Sequence, residues 1–359
     1  MSNIAGRLER LPLSRFHRRF VTLISVGGWF DFYDIFMAGY LGAALRGSSF
    51  LDLPQLSLFV SSGFIGMFVG ALVFGLGSDY MGRRTAFVSM LLIYSGFTLL
   101  GAFAPDARWL IVTRLLAGIG IGAELIVLDT YVTELVPGGA RGRYVAITQV
   151  VGFSAIPIVA AISYFVVPTH FLFEGWRWVM VIGSFGSLFA WHIRRGVPES
   201  PRWLESRGRI AEASAIVDAI EAEVLAEHSG PLPPAPIIDT RAEARLPFLD
   251  LFRPPFRVRT LMMTGFQILQ TVGLYGWANW LPTLLVQQGV PLVTSLQYTL
   301  LMALTSPIGP LLAALTSDRL ERKWTIVTLS SSMVVIGLVF LRARAPWQVI
   351  TCRSEEHTS

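Results

Sequence analysis

The chain has 359 residues, of which 53% are hydrophobic and 15% charged, with a mean hydropathy of +0.57. Soluble domains carry about 25% charged residues, so one large water-soluble core is excluded in favour of long apolar runs joined by short charged loops. The formal charge of +5 sits in short basic clusters between those runs, a topology signal and not a nucleic-acid groove; the single Cys352 excludes an internal disulfide or a cysteine-based zinc site.

An Arg-rich stretch, Arg7 to Arg19, precedes the first apolar segment. That segment is too long for a leader's apolar region and lacks a small-residue cleavage site, so it is retained as the first helix. A spanning helix needs about 20 mainly apolar residues. Nine stretches are predicted on that basis, over 20–44, 55–77, 85–104, 109–133, 143–166, 176–195, 259–285, 294–316 and 324–341. Asp31 and Asp34 interrupt the first, which such a span tolerates only where it faces protein or a water-filled cavity.

Basic clusters precede helix one (Arg7, Arg10, Arg15, Arg18, Arg19) and follow helix two (Arg83, Arg84), helix four (Arg141, Arg143), helix six (Arg194, Arg195) and helix eight (Arg319, Arg322, Lys323). With alternating spans they share one side, which the positive-inside rule makes cytoplasmic together with the N-terminus. The long polar segment 196–258 divides into an Ala- and Glu-rich surface helix, Ala211 to Glu227, and an extended linker carrying Pro231, Pro233, Pro234 and Pro236. The expected organisation is all-α: a six-helix bundle over 1–195, a cytoplasmic linker over 196–258, and a partial second bundle of helices seven to nine over 259–352.

The loop after helix two reads Gly75-Leu76-Gly77-Ser78-Asp79-Tyr80-Met81-Gly82-Arg83-Arg84. An ordinary positive-inside turn needs the arginines but not that glycine and aspartate spacing. The string resembles the GxxxDxxGRR signature of the major facilitator superfamily, in which glycines permit close approach and a tight turn. The resemblance implies a gating role for Gly75, Asp79, Gly82, Arg83 and Arg84. A weaker second copy follows helix eight, where Asp318 and Arg319 remain but Glu321 stands in place of the glycine. Pro198-Glu199-Ser200-Pro201-Arg202-Trp203-Leu204 resembles the PESPRWL string of sugar-porter-like members. Locally, Pro198 ends a helix, Glu199 is placed to meet Arg202, and Trp203 suits a membrane interface.

In helix four, Arg114, Gly118 and Gly122 lie four apart on one face. A charge at mid-membrane costs about 2.5–3.5 kcal/mol on insertion scales, so Arg114 needs a partner inside the bundle. Asp31 and Asp34, three apart in helix one, are the candidates, with Glu124 also nearby in helix four. A carboxylate paired with Arg is ionised and takes a proton when the pair opens in a dry cavity. The set Asp34, Asp31, Arg114 and Glu124 therefore reads either as a proton-coupling device or as a purely structural ion pair. Asp34 is the first candidate as carrier because Tyr33-Asp34 resembles the Gly-Tyr-Asp of related symporters. Glu134 with Arg141 reads as a latch at the cytoplasmic end.

Helix seven places Gln267, Gln270, Tyr275 and Asn279 in an apolar span, as a cavity for a small polar or aromatic solute would, or as interhelical hydrogen bonding alone would. Together with Arg10 to His17 leading into Phe30-Asp31-Phe32-Tyr33-Asp34, these features resemble the metabolite:proton symporter branch, which includes aromatic-acid and nicotinate-type carriers. Phe32 departs from the Asp-Gly-Tyr-Asp of that branch. The resemblance implies a secondary active transporter of the bacterial inner membrane, a small organic acid or similar metabolite and a proton as its passengers, the lipid bilayer as its surroundings, a monomeric state, and no enzymatic activity, cofactor, metal or nucleic-acid partner. A sugar porter or facilitative uniporter on the same fold is the alternative. The fold of that superfamily has twelve helices, so truncation and loss of transport are expected of a nine-helix chain. The last seven residues, Arg353 to Ser359, match a translation of a common sequencing-adapter oligonucleotide and are expected to carry no function.

Overall fold

The computed structural model describes residues 3–186, 188–189, 195–228, 230–237 and 248–316, with isolated positions between 324 and 338; of 75–79, 248–249 and 316 it describes the backbone alone. Asp318 and Arg319, half of the ninth predicted span and the tail 353–359 lie outside the described residues, as does the side chain of Asp79.

A short helix α1 (Ile4–Glu9), absent from the sequence reading, precedes α2 (Arg15–Gly47). At 33 residues α2 is about 50 Å long, well beyond an about 30 Å hydrocarbon core, so it carries its basic first turns past the apolar layer. Ser14 and His17 form the capping box that starts it. The chain continues through α3 (Leu53–Met81), α4 (Arg83–Ala102) and α5 (Ala107–Leu135), the last capped by Asp106, which accepts from Trp109 N at 2.8 Å.

The fifth predicted span is two helices, α6 (Gly138–Phe153) and α7 (Ala155–Val166). Pro157 explains the break, because it offers no N–H to the carbonyl four residues earlier. That carbonyl, on Phe153, instead accepts from Ser306 Oγ at 3.3 Å, which ties the break to the second half of the chain. Where all-α structure was expected, His170–Phe171 (β1) and Phe173–Glu174 (β2) form a small antiparallel hairpin. Leu172 turns it with φ of 60°, and Trp178 Nε1 donates to Phe171 O at 2.7 Å.

Helix α8 (Gly175–Gly183) follows, then α9 (Pro201–Ser206) and α10 (Ile210–Glu227) in the polar segment. The seventh predicted span consists of α11 (Arg257–Thr271), a π turn over Val272–Gly276 and α12 (Trp277–Gln287). Helices α13 (Leu292–Ala303) and α14 (Ile308–Thr316) follow it. Among the described residues six helical segments are long and apolar enough to cross a membrane: 15–47, 53–74, 83–102, 107–135, 138–166 and 292–315.

Helix α2 is the hub, packed on by α5, α6, α7, α8 and α12. Helix α3 lies along α5, while α13 and α14 pack against α7 and α6. The glycines of α5 set the first of these spacings. A Cβ on Gly122 would stand 2.5 Å from the carbonyl carbon of Met67 on α3, and one on Gly118 would stand 3.2 Å from Gly63 Cα. Those contacts leave no room for a side chain, and they bring α3 close over Arg114.

Candidate functional site

Within the bundle, the arginine of α5 meets one aspartate of α2. Arg114 donates through Nη1 to Asp34 Oδ2 and through Nη2 to the Asp34 carbonyl at 3.1 Å. Thr98 on α4 donates to the remaining carboxylate oxygen, Oδ1, at 2.9 Å. Asp34 is fully buried and Arg114 is 6% exposed. The guanidinium lies over Gly63 and 5.8 Å from the centroid of Phe59, so α3 closes it off. Next to Asp34, the Tyr33 hydroxyl donates to Val179 O at 3.0 Å and fixes α2 to α8.

Asp31 and Glu124 are also fully buried, and their four carboxylate oxygens have no hydrogen-bond partner among the described residues. Helix periodicity put Asp31 and Asp34 on one face, but the structure gives the cation to Asp34.

At one end of the bundle lies a second set of charges. Glu199 Oε1 accepts from the backbone N–H of Arg83 (2.8 Å) and Arg84 (3.1 Å), capping the N-terminus of α4 from a segment more than a hundred residues away. Gly82 has φ of 90°, and a Cβ on it would stand 2.9 Å from Glu199 Cδ, so this corner admits glycine for two reasons at once. Arg83 pairs with Glu134 at 3.0 Å, and Tyr131 donates to Pro198 O.

Two expected pairings are replaced here. Glu134 was expected to latch to Arg141, yet it meets Arg83, while Arg141 pairs with Glu9 at 2.9 Å. Glu199 was expected to meet Arg202, yet it caps α4, and Arg202 reaches Glu9 at 3.5 Å. The reason in both cases is α1, whose Glu9 also accepts from Gly138 N at 2.6 Å. Glu9 is the sole acidic residue before Asp31 in the chain, the one sequence signal that could have flagged it. Trp203, expected at the membrane interface, is 7% exposed and packs over Gly82.

On the other side of α2, the Tyr275 ring lies 5.7 Å from those of Phe36 and Phe64. Asn279 Nδ2 donates to Tyr275 O at 3.0 Å, and its backbone presses on Gly39, where a Cβ would stand 2.7 Å from Asn279 Cα. The cavity along this seam, beside Phe36, Tyr40 and Ala278, holds about 20 Å³, room for roughly one water. Gln267 and Gln270 do not join this group. They are exposed on α11, which buries none of its residues. Phe32, the departure from the expected glycine, packs on Phe153 at 4.9 Å and over Gly152, so the exchange of sizes is compensated across the α2–α6 contact.

The sequence profile of the Major Facilitator Superfamily matches residues 24–352. The chain belongs to the Major Facilitator Superfamily. It is 33% identical over 354 residues to the niacin transporter NiaP of Acinetobacter baylyi, a match covering 97% of this chain and 78% of that protein. It is 31% identical over 358 residues to the inner membrane metabolite transport protein YdjE of Escherichia coli, covering 97% of this chain and 77% of that one. The fold is similar to that of the proton:xylose symporter XylE, with a TM-score of 0.77 at 21% identity, over 96% of this chain and 78% of the other. As a major facilitator protein the chain is a multi-pass membrane transporter and not an enzyme. The end-of-bundle charges and the buried Asp34–Arg114 pair thus lie in a transporter scaffold.

Proposed function

We propose that this major facilitator protein is a secondary active transporter that takes up a small organic acid or similar metabolite together with protons, by alternating access. We place it in the bacterial inner membrane as a monomer with its N-terminus cytoplasmic. The observation that carries the coupling is the buried Asp34–Arg114 pair: when it opens in a dry interior, the carboxylate that has lost its cation takes up a proton. Proton arrival at Asp34 and release of Arg114 are then one event, which moves α5 relative to α2. Asp31 and Glu124 belong to the same coupling region. Gly75, Asp79, Gly82, Arg83, Arg84, Glu134 and Glu199 act in gating, with Arg141 and Arg202 held through Glu9, and Asp318 and Arg319 as their counterparts in the second half. Tyr275 and Asn279, with Gln267 and Gln270 from the same span, contribute to solute binding. The relatives named for niacin and for metabolite transport support an organic-acid class of solute.

The test is uptake into vesicles by the full-length gene product, with and without an imposed pH gradient. Accumulation that collapses with a protonophore is expected, and indifference to it would remove the coupling. A sugar porter is the second reading, favoured by the PESPRWL-like corner around Glu199 and the fold shared with XylE. Competition by sugars against aromatic and aliphatic acids separates the two.

A further inference from the structure

The Asp34–Arg114 pair leaves two buried carboxyls unaccounted for. Asp31 lies one turn before Asp34 on α2, and Glu124 lies on α5; both are at 0% exposure with every carboxylate oxygen unpartnered among the described residues. They occupy one compartment. Glu124 Oε1 lies 3.3 Å from where a Cβ on Gly27 would stand, and Gly27 precedes Asp31 by one turn on the same face of α2.

Helix α4 supplies a second and independent feature. Tyr94 OH and Ser95 Oγ are buried there beside each other, with no further hydrogen-bond partner among the described residues. Both crowd the same point over Gly186, where a Cβ would stand 3.1 Å from Ser95 Oγ and closer still to the Tyr94 oxygen. Phe87 closes the compartment, 2.8 Å from the Gly27 Cβ position. The titratable groups about it are Asp31 and Asp34 from α2, Tyr94 from α4, and Glu124 with Arg114 from α5, while the Tyr33 hydroxyl of α2 is taken by Val179 O. Arg114, the sole cation among these, is taken by Asp34.

Two carboxylates without a cation in a dry compartment are not sustainable, because each would be an uncompensated buried charge beside another of the same sign. A proton on one of them removes its charge and supplies an O–H donor to a cluster that otherwise holds acceptors and hydroxyls.

We propose that Asp31 and Glu124 form a second proton-holding site of the N-terminal bundle, distinct from the Asp34–Arg114 pair and served by the hydroxyls of Tyr94 and Ser95. The step is a proton transfer alone: a carboxylate takes a proton from water and returns it, with no other bond made or broken. It deepens the proton-coupled reading, on which its role in transport rests, while the site itself is read without any solute.

The experiment is infrared spectroscopy of the full-length protein in lipid nanodiscs at neutral pH, following the C=O stretch of protonated carboxyls. A band is expected in the wild type and in Asp34→Asn. It is expected to fall by about half or to shift in Asp31→Asn and in Glu124→Gln, since the pair titrates as a unit, and to vanish in the double variant. Glu124→Asp, which retains the carboxyl, is expected to keep a band, and the helical circular dichroism of each variant shows whether it has folded. Absence of the band in the wild type overturns the proposal. So does its loss in Asp34→Asn with retention in the double variant, and so does its removal by sodium at constant pH, which would make the site one for a metal cation. A band that behaves as expected in a protein whose uptake ignores protonophores leaves the site standing and removes the coupling.

Discussion

Asp34 is held by Arg114 and Thr98, and its backbone carbonyl is claimed by the same guanidinium. Removing one partner of a buried pair strands the other, at a cost of about 3–5 kcal/mol. Arg114→Ala is therefore expected to destabilise the protein by about that amount in chemical unfolding followed by circular dichroism. The neutral double variant Asp34→Asn with Arg114→Gln is expected to recover most of the loss, yet to transport without a proton. If the double variant is as unstable as the single one, the pair is not what Arg114 contributes. At the end of the bundle where Glu199 caps α4, Gly82→Ala is expected to cost about 1–3 kcal/mol, because its φ of 90° and the Glu199 carboxyl both exclude a methyl. The pairing of Arg114 with helix one was legible in the sequence, since a lone arginine in an apolar span needs an acid. Helix periodicity does not choose between the two aspartates, because residues three apart share a helix face; the Tyr33-Asp34 resemblance favoured Asp34, and the structure pairs Arg114 with it.

At the scale of elements, α1 shows what periodicity misses. Six residues are too few to display a helical pattern, so Arg7 and Arg10 read as topology charges alone. In the structure they also strap α1 to the linker helix α10. Arg7 reaches Glu221 at 2.6 Å and Asp218 at 2.5 Å, and Arg10 reaches Glu221 at 2.8 Å. Burial works against the Glu221 charge, but the hydrogen bonds from Arg7 and Arg10 together outweigh it and hold the carboxyl below its ordinary 4.5. A depressed carboxyl stabilises the docked form above its free value and ceases to do so as pH falls through the bound one. Protection of α1 in hydrogen exchange or limited proteolysis is thus expected to be full above pH 4.5 and lost at lower pH. Glu221→Gln is expected to weaken that protection at neutral pH, and high salt to weaken it in the wild type. Protection that is insensitive to all three would show that apolar contacts alone hold α1. The linker helix itself was legible from its Ala- and Glu-rich run. The division of the fifth span was signalled by Pro157, though its capture by Ser306 depends on a contact across the chain.

For the whole molecule, Arg83 and Arg141 of the basic clusters, together with Arg202, are held through acidic partners. Glu9 joins α1 to Arg141 and Arg202, and Arg83 meets Glu134 beside Glu199. The corner where Gly82 meets Glu199 was readable because each of its two parts is a local string with fixed spacing. The solute site was less so, since α11 packs on too little to place Gln267 and Gln270, and the α2–α12 seam is nearly closed. In the transport cycle proposed above, a proton at Asp34 drives accumulation. Its most direct test compares wild type and Asp34→Asn in vesicles, for a solute that competition has identified, measuring both gradient-driven accumulation and solute exchange at equal pH on the two sides. Accumulation abolished in Asp34→Asn with exchange retained is the expected result. Accumulation by Asp34→Asn at the wild-type level under the same pH gradient would contradict it.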